Sequence, residues 1–233
     1  MTVVEVCVQD VDGVKAATNA GADRVELCAE LWCGGVTPSM DTIEEAITYA
    51  PPRGLRVLVR ENRESFELSD QEAQKQADDI LAIRQMFATA RTPVGFVVGG
   101  LREGRLNPQW LDLWRESAGE HTLIFHRAFD ELDQPCGALE MLCEHGWDGV
   151  LTTGASHGNV DVEGLRGLLA CADGRMDIVG SGGVRKGNVA EVLQLTGLRE
   201  VHFRAPLENT DQTDPQMVAA TVEAVRNGPV AYN

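Results

Sequence analysis

The fold of this protein can be read from residues 3–28, V-V-E-V-C-V-Q-D-V-D-G-V-K-A-A-T-N-A-G-A-D-R-V-E-L-C. Apolar and polar residues alternate over residues 3–8 and again over residues 24–28, and this period of two predicts two β-strands. Between them, residues 10–20 carry apolar residues at helical spacing behind Asp10, a residue type that caps helix N-termini. The segment therefore predicts two parallel strands joined by a helical crossover.

The same alternation of strand and helix continues along the chain. Strands are predicted at residues 3–8, 24–28, 55–60, 94–98, 122–126, 149–153, 177–180 and 200–203. Helices are predicted at residues 10–20, 40–50, 69–90, 108–118, 135–145, 162–171, 186–195 and 214–226, with N-cap candidates Asp10, Ser39, Ser69 and Asn107. Eight such units predict one (β/α)8 barrel of the TIM type, a single domain over residues 1–233. A doubly wound open sheet is the alternative, but its G-x-G-x-x-G turn is absent after the first strand.

Composition excludes several classes of function. The chain has 20 Lys and Arg residues against 36 Asp and Glu residues, and its net charge is −16. Because binding to nucleic acid or to an anionic membrane surface depends on clustered basic residues, we expect neither partner. No apolar run approaches the ~18 residues of a membrane span, and the N-terminus lacks the basic region of a signal peptide. We therefore expect a cytoplasmic protein.

The six cysteines are too few for a disulfide framework at this length, and none forms a C-x-x-C pair. We therefore expect free thiols, available for packing, metal binding or chemistry. Cys136, Cys143 and Cys171 fall within helical patterns and are expected to pack on the outside of the barrel. Cys33, in a W-C-G-G loop, is either a third thiolate ligand or an ordinary loop residue.

One face of the predicted strands is polar, and in a barrel this face points inward. Its members are Glu5, Cys7, Arg24, Glu26, Cys28, Arg56, Arg60, Glu200 and His202. Ion pairing at the bottom of the barrel would suit the residues early in their strands, which are Arg24, Arg56 and Glu200. The residues near the C-terminal strand ends, where barrel active sites lie, are candidates for function.

His126 closes the fifth predicted strand, and Asp130 follows four residues later. A histidine of near-neutral pKa beside an acid is a candidate general base. The alternative is a histidine that is hydrogen-bonded within the barrel mouth. The candidate catalytic residues are Glu5, Glu26, Arg60, His126 and His202. These residue types suit acid–base chemistry on a small anionic substrate.

A glycine-rich turn, G-S-G-G-V at residues 180–184, follows the seventh predicted strand. Barrels often bind phosphate with free backbone N–H groups of the loops after strands seven and eight. Gly182 and Gly183, with Arg204 at the end of the eighth strand, are therefore candidate ligands of an anion or phosphate. The alternative is a tight turn that needs glycine conformations.

Cys7 and Cys28 form a candidate metal site. They lie near the ends of consecutive parallel strands, which are about 4.8 Å apart when directly paired. Two thiolates can bind Cu(I), because soft sulfur ligands select it over hard cations. The alternatives are that both cysteines are small apolar fillers, or that they form a disulfide.

Several motifs of the chain are shared with a known family. They are E-V-C-V at 5–8, G-A-D-R-V-E-L-C at 21–28, G-G-V-T-P-S at 34–39, G-F-V-V-G-G-L at 95–101, H-R-A-F-D at 126–130, L-T-T-G at 151–154, G-S-G-G-V at 180–184 and V-H at 201–202. Over about residues 3–205 the chain thereby resembles the CutC copper-homeostasis family. The resemblance implies a cytoplasmic (β/α)8 barrel, a homodimer or higher homo-oligomer, that binds Cu(I) through Cys7 and Cys28.

One stretch departs from the family pattern. Where the family usually has R-P-R-G-G-x-F, this chain has R-E-N-R-E-S-F at residues 60–66, which makes the loop bulkier and more acidic. Three functions remain open from the sequence. The first is Cu(I) handling, the second is an enzyme that acts on a small anionic or phosphorylated metabolite, and the third is an enzyme scaffold kept for a non-catalytic role.

Overall fold

A computed structural model describes residues 1–154 and 158–228, and the strands within them close into one barrel. The strands are β1 (Val3–Val8), β2 (Arg24–Leu27), β3 (Leu55–Val59), β4 (Val94–Val98), β5 (Thr122–Phe125), β6 (Gly149–Thr152), β7 (Asp177–Gly180) and β8 (Glu200–Arg204). Each strand pairs in parallel with the next, and β8 pairs with β1. The predicted (β/α)8 barrel is confirmed. The predicted domain also includes residues 155–157 and 229–233, which lie outside the described ones.

A helix follows every strand. The α-helices are α1 (Val11–Asn19), α2 (Met40–Ala46), α3 (Asp70–Met86), α4 (Pro108–Ala118), α5 (Pro135–Glu144), α6 (Val162–Ala172), α7 (Val189–Thr196) and α8 (Pro215–Asn227), with 3-10 turns at Leu31–Cys33, Ile47–Tyr49 and Arg127–Glu131. The four predicted N-caps all accept hydrogen bonds from backbone N–H groups of the first turn. No helix of the described ranges is long and apolar enough to cross a membrane.

Strand alternation sorts the side chains onto two faces, as predicted. Val4, Val6 and Val8 are fully buried against the surrounding helices. Inside the barrel, one side is filled by aliphatic residues of β3 to β7, which are Leu58, Val97, Ile124, Leu151 and Val179. Charged and sulfur-bearing residues of β1, β2, β3 and β8 fill the other side. The candidate site therefore lies on this polar side.

The outer helices carry a disulfide that the sequence analysis did not predict. Cys136 of α5 and Cys171 of α6 are bonded, with 5.6 Å between their Cα atoms. The expectation that these two thiols are free is therefore wrong. Their pairing depends on how α5 packs against α6, which a separation of 35 residues does not reveal. Cys143 is free, as expected.

Candidate functional site

The lower half of the polar side is a closed set of ion pairs, here called the lower ion cluster. Its members are Glu5, Arg24, Arg56 and Glu200, and each carboxylate contacts both guanidinium groups. The Glu5 carboxylate lies 2.5 Å from Arg24 Nε and 3.0 Å from Arg56 Nη1. Burial acts to raise the pKa of Glu5, but the two guanidinium groups hold it well below its usual range. The predicted ion pairing of Arg24, Arg56 and Glu200 is confirmed.

Glu5 belongs to this cluster rather than to the barrel mouth. It accepts a third hydrogen bond of 2.8 Å from His202 Nδ1, so both of its oxygens are engaged. It is also absent from the lining of the cavity described next. We had expected Glu5 among the catalytic candidates at the mouth; its position instead makes it a structural link beneath that site.

Above the cluster, the C-terminal strand ends surround a cavity of about 540 Å³, here called the mouth cavity. Its lining includes Cys7, Glu26, Leu58, Arg60, Phe66, His126, Leu151, His202 and Arg204. The structure thus brings together Cys7, Glu26, Arg60, His126, His202 and Arg204 of the predicted residues. A cavity of this size suits a small molecule.

Glu26 and His202 form a coupled acid–base pair on the floor of the cavity. His202 Nδ1 lies 3.5 Å from Glu26 Oε2, a buried oxygen without a hydrogen-bond partner. Burial raises the pKa of Glu26 to about 7, against the opposing charge of His202. Burial acts to lower the pKa of His202, but the Glu26 and Glu5 carboxylates hold it well above its usual range. His202 is therefore the charged partner at neutral pH, and Glu26 can gain or lose a proton there.

The two candidate metal ligands meet beside this pair. The Sγ atoms of Cys7 and Cys28 are 3.6 Å apart, and both side chains are buried. Cys28 Sγ also donates to the Val8 carbonyl at 3.4 Å. The hydrogen bond with Cys28, together with burial, raises the pKa of the Cys7 thiol well above its usual range. Cys7 is therefore held as a neutral thiol until something displaces its proton.

The thiol pair fits a soft metal ion. With metal–sulfur bonds of about 2.3 Å, as in zinc thiolates, sulfurs 3.6 Å apart subtend about 100° at the metal. Such a bent pair leaves room for a further donor on the cavity side. Glu26 and His202, on the cavity floor, and Glu5 beneath them have ligand atoms within 4.8 Å of one another. Sulfur donors favour Cu(I) over hard cations, and Cu(I) binding at this pair stays a prediction.

Arg60 and His126 form the opposite wall of the cavity, against the ring of Phe66. The Arg60 guanidinium lies 4.8 Å from the Phe66 ring centroid, and the His126 ring lies 4.9 Å from it. Arg60 Nη1 donates to the carbonyls of Gly35 at 3.1 Å and Cys33 at 3.4 Å. Phe66 was kept from the family pattern in the sequence, but its position between these two side chains was not predicted.

His126 is a neutral hydrogen-bond donor rather than the near-neutral base that the sequence suggested. Burial and the charge of Arg60 lower the pKa of His126 to about 3. His126 Nδ1 accepts a hydrogen bond of 3.2 Å from the Ala128 N–H, so the proton resides on Nε2. Asp130, the expected acidic neighbour, instead accepts hydrogen bonds from Thr152, Thr153 and Arg127.

The glycine turn after β7 does not share the mouth cavity. Gly182 and Gly183 have φ values of 89° and 72°, which favour glycine. The Gly182 carbonyl accepts a hydrogen bond of 2.6 Å from the Val160 N–H. Neither glycine lines the cavity, whereas Arg204, the third candidate anion ligand, does. Arg204 is itself paired with Asp211.

The loop that departs from the family pattern is fixed by its own side chains. Arg63 forms two hydrogen bonds with Glu30, at 2.6 and 2.7 Å, across the cavity rim. Asn62 Oδ1 accepts the N–H groups of Glu64 and Ser65, which closes a turn. The bulkier residues thus join the loop after β3 to the loop after β2.

Comparisons with known proteins agree on a family. The model of the CutC family matches residues 2–206. A CutC family protein of Mesorhizobium japonicum is 37% identical over 207 residues, covering 88% of this chain and 78% of the relative. A CutC family protein of Pasteurella multocida is 34% identical over 202 residues, covering 86% of this chain and 80% of the relative.

Solved structures extend the comparison. The crystal structure of CutC from Streptococcus agalactiae, a protein assigned provisionally to copper homeostasis, superposes with a TM-score of 0.78 at 25% identity and covers 87% of this chain and 98% of that one. A phosphoribosylanthranilate isomerase of Thermotoga maritima superposes with a TM-score of 0.63 at 13% identity, covering 97% of this chain and 99% of that one. The latter likeness concerns the barrel fold alone.

Proposed function

The chain belongs to the CutC family, and from that premise we propose that it acts in copper homeostasis by binding Cu(I) through Cys7 and Cys28. The observation that carries the proposal is the buried sulfur pair, 3.6 Å apart, at the end of the barrel that opens into the mouth cavity. The alternative of two apolar fillers does not explain why Cys7 also borders a charged cavity.

The sulfur pair can be reached from the mouth cavity, which suits an ion that is bound and released. A structural metal site is closed by protein ligands, whereas this pair supplies two donors, of which Cys7 lines a cavity of about 540 Å³ and Cys28 is buried behind it. Binding requires thiolates, so each sulfur that ligates the ion gives up its proton. Because the pKa of Cys7 is raised, we expect the affinity for Cu(I) to increase with pH.

An anaerobic competition titration tests this proposal. The reduced protein competes with a Cu(I) chelator, and we expect one ion bound per chain, with a sharply weakened site in Cys7→Ala and Cys28→Ala. Cys143→Ala is the matched control, because Cys143 is a free cysteine on α5, remote from the mouth. If Cys7→Ala/Cys28→Ala binds as tightly as the parent, the thiol pair is packing and the proposal fails.

A second candidate is acid–base chemistry on a small anionic molecule. Its support is the pairing, across one cavity, of a carboxyl of pKa about 7 on Glu26 with the neutral donor His126. In such a reaction Glu26 would move the proton and His126 Nε2 would donate to a substrate oxygen. The two candidate functions can be distinguished by mutation. Glu26→Gln would abolish turnover, whereas loss of the Cys7 and Cys28 thiols would abolish copper binding.

Two further expectations come from the resemblance. The cytoplasmic location and the homodimeric or higher homo-oligomeric state stay predictions. The Cys136–Cys171 disulfide argues against the cytoplasmic location, because disulfides are rare in a reducing cytoplasm.

A further inference from the structure

The arginines around the mouth cavity differ in their pairing. Four arginines line it, and three of them pair with carboxylates, as Arg63–Glu30, Arg127–Asp130 and Arg204–Asp211. Within residues 1–154 and 158–228, Arg60 forms no ion pair. The carboxylate of Glu131 acts on it only from a distance.

Arg60 is also the most buried of the four. Arg60 is buried, whereas Arg63 is exposed and Arg127 and Arg204 are half-buried. A charge removed from water is unfavourable unless a counter-charge and hydrogen bonds compensate it. The other three arginines have a carboxylate partner and more contact with water, whereas Arg60 has no carboxylate partner among the described residues.

The hydrogen-bonding capacity of Arg60 is only partly used. Its Nη1 donates to two backbone carbonyls, those of Gly35 and Cys33, which bring no negative charge. Its Nε is buried and has no partner. A bound anion would supply both what this guanidinium lacks, a hydrogen-bond acceptor for its buried donor and a negative charge to balance its own.

A second donor lies on the same wall. The ring of His126 and the guanidinium of Arg60 both pack against Phe66, at 4.9 and 4.8 Å between centres. Because His126 Nδ1 is occupied by the Ala128 N–H, Nε2 carries the proton and can donate. This donor adds no charge, so the wall offers one positive charge and several N–H groups.

From this wall we propose that the mouth cavity binds a small carboxylate-bearing molecule, whose carboxylate is the counter-ion of Arg60 and also accepts a hydrogen bond from His126. A carboxylate matches the planar guanidinium and carries one negative charge against one unpaired positive charge. Glu64 and Glu131 also line the cavity, and their charges disfavour a doubly charged phosphate. The apolar side chains of Leu58 and Leu151 leave a surface for the rest of the molecule.

This inference is independent of copper, because neither Arg60 nor His126 is a sulfur ligand. It refines the second candidate function by naming the class of bound molecule, and it concerns binding alone, so it can hold even if no turnover occurs. Its test therefore uses metal-free protein. Thermal unfolding is followed during titration with the monocarboxylates acetate, propionate and lactate, and separately with inorganic phosphate, all at equal ionic strength against chloride. Equal ionic strength is needed because such anions also stabilise proteins by exclusion from the surface.

The variants are Arg60→Met, which keeps the length of the side chain and removes its charge, and Arg63→Met as the paired-arginine control. We expect a saturable rise in melting temperature with a carboxylate in the parent and in Arg63→Met. In Arg60→Met the rise should be absent, and the ligand-free variant should be at least as stable as the parent. Arg60→Lys keeps the charge without the planar fork, and we expect its affinity to fall about tenfold or more.

Three outcomes would overturn the proposal. The first is that no carboxylate gives a saturable shift, and the second is that Arg60→Met and the parent shift equally. The third is a phosphate response larger than any carboxylate response, which would assign the wall to phosphate instead. If Arg60→Met does not fold, the same comparison is made with Arg60→Lys, and an unchanged affinity there contradicts the proposal.

Discussion

The lower ion cluster and the mouth cavity are built from the same strands, two residues apart. On β1, β2 and β8 the lower residue and the next inward-facing residue are Glu5 and Cys7, Arg24 and Glu26, and Glu200 and His202. In the lower cluster every carboxylate contacts two guanidinium groups. In the mouth cavity, Glu26 Oε2, Arg60 Nε and Arg204 Nε are buried without a hydrogen-bond partner.

The difference teaches that charge inside a barrel does not by itself indicate a functional site. Both regions are polar and both are buried. The charged groups of the lower ion cluster are paired with one another, whereas some polar atoms of the mouth cavity have no hydrogen-bond partner. Groups left unsatisfied at the open end of the barrel are available to a ligand, whereas the paired groups below are committed to the fold. This contrast can be tested by making the same change in both regions.

The largest effect is expected from Glu5→Gln. Loss of this carboxylate leaves Arg24 and Arg56 with only Glu200, and breaking a buried ion network in this way costs about 3–5 kcal/mol of unfolding free energy. The matched change is Glu26→Gln, which we expect to cost about 1 kcal/mol or less, because Glu26 Oε2 has no hydrogen bond to lose. Urea unfolding at pH 7 measures both. If the two variants lose equal unfolding free energy, the lower ion cluster and the mouth cavity do not differ in how far their charges are paired.

A smaller effect is expected from the pH dependence of His126. Its pKa is about 3 in the folded protein against an ordinary 6.5, so the unfolded chain takes up the proton first. The contribution of neutral His126 to stability is therefore complete above pH 6.5 and decreases as the pH falls towards 3, by at most about 1.4 kcal/mol per pH unit. We expect His126→Gln to remove this dependence.

The window between pH 6.5 and about 5.5 separates the two regions. Glu5, whose pKa is lowered in the fold from an ordinary 4.5, is mostly ionised in both states there, so its own contribution is lost only at lower pH. The parent should lose stability relative to His126→Gln across this window, as followed by urea unfolding at several pH values. Parallel curves would mean that His126 is as accessible to protons in the fold as in the unfolded chain.

Much of the fold could be predicted from the sequence because strand alternation is a local signal. The eight strands, the four N-caps and the inward polar face of β1, β2 and β8 all follow from residue order. The Cys136–Cys171 disulfide does not, since it depends on the packing of two helices. The lowered pKa of His126 likewise depends on Arg60 and on burial by distant segments.

The residues of the mouth were also predictable, but their partners were not. Period two placed Cys7, Glu26 and Arg60 inside the barrel near their strand ends. Which arginine lacks a carboxylate depends on loop contacts such as Arg63 with Glu30, which are 33 residues apart. Sequence patterns report the face on which a residue lies, whereas pairing is decided by loop geometry that has no short-range signature.

X-ray absorption at the copper edge, on reduced protein carrying one equivalent of Cu(I), tests most directly the claim that the mouth is the functional end of the barrel. Because Cys7 and Cys28 hold their sulfurs 3.6 Å apart, we predict a first shell with two sulfur atoms in a bent arrangement and room for a lighter third donor. Cys7→Ala and Cys28→Ala should each remove one sulfur from that shell. A first shell of nitrogen and oxygen alone, or a two-sulfur shell that persists in the double variant, would contradict the account.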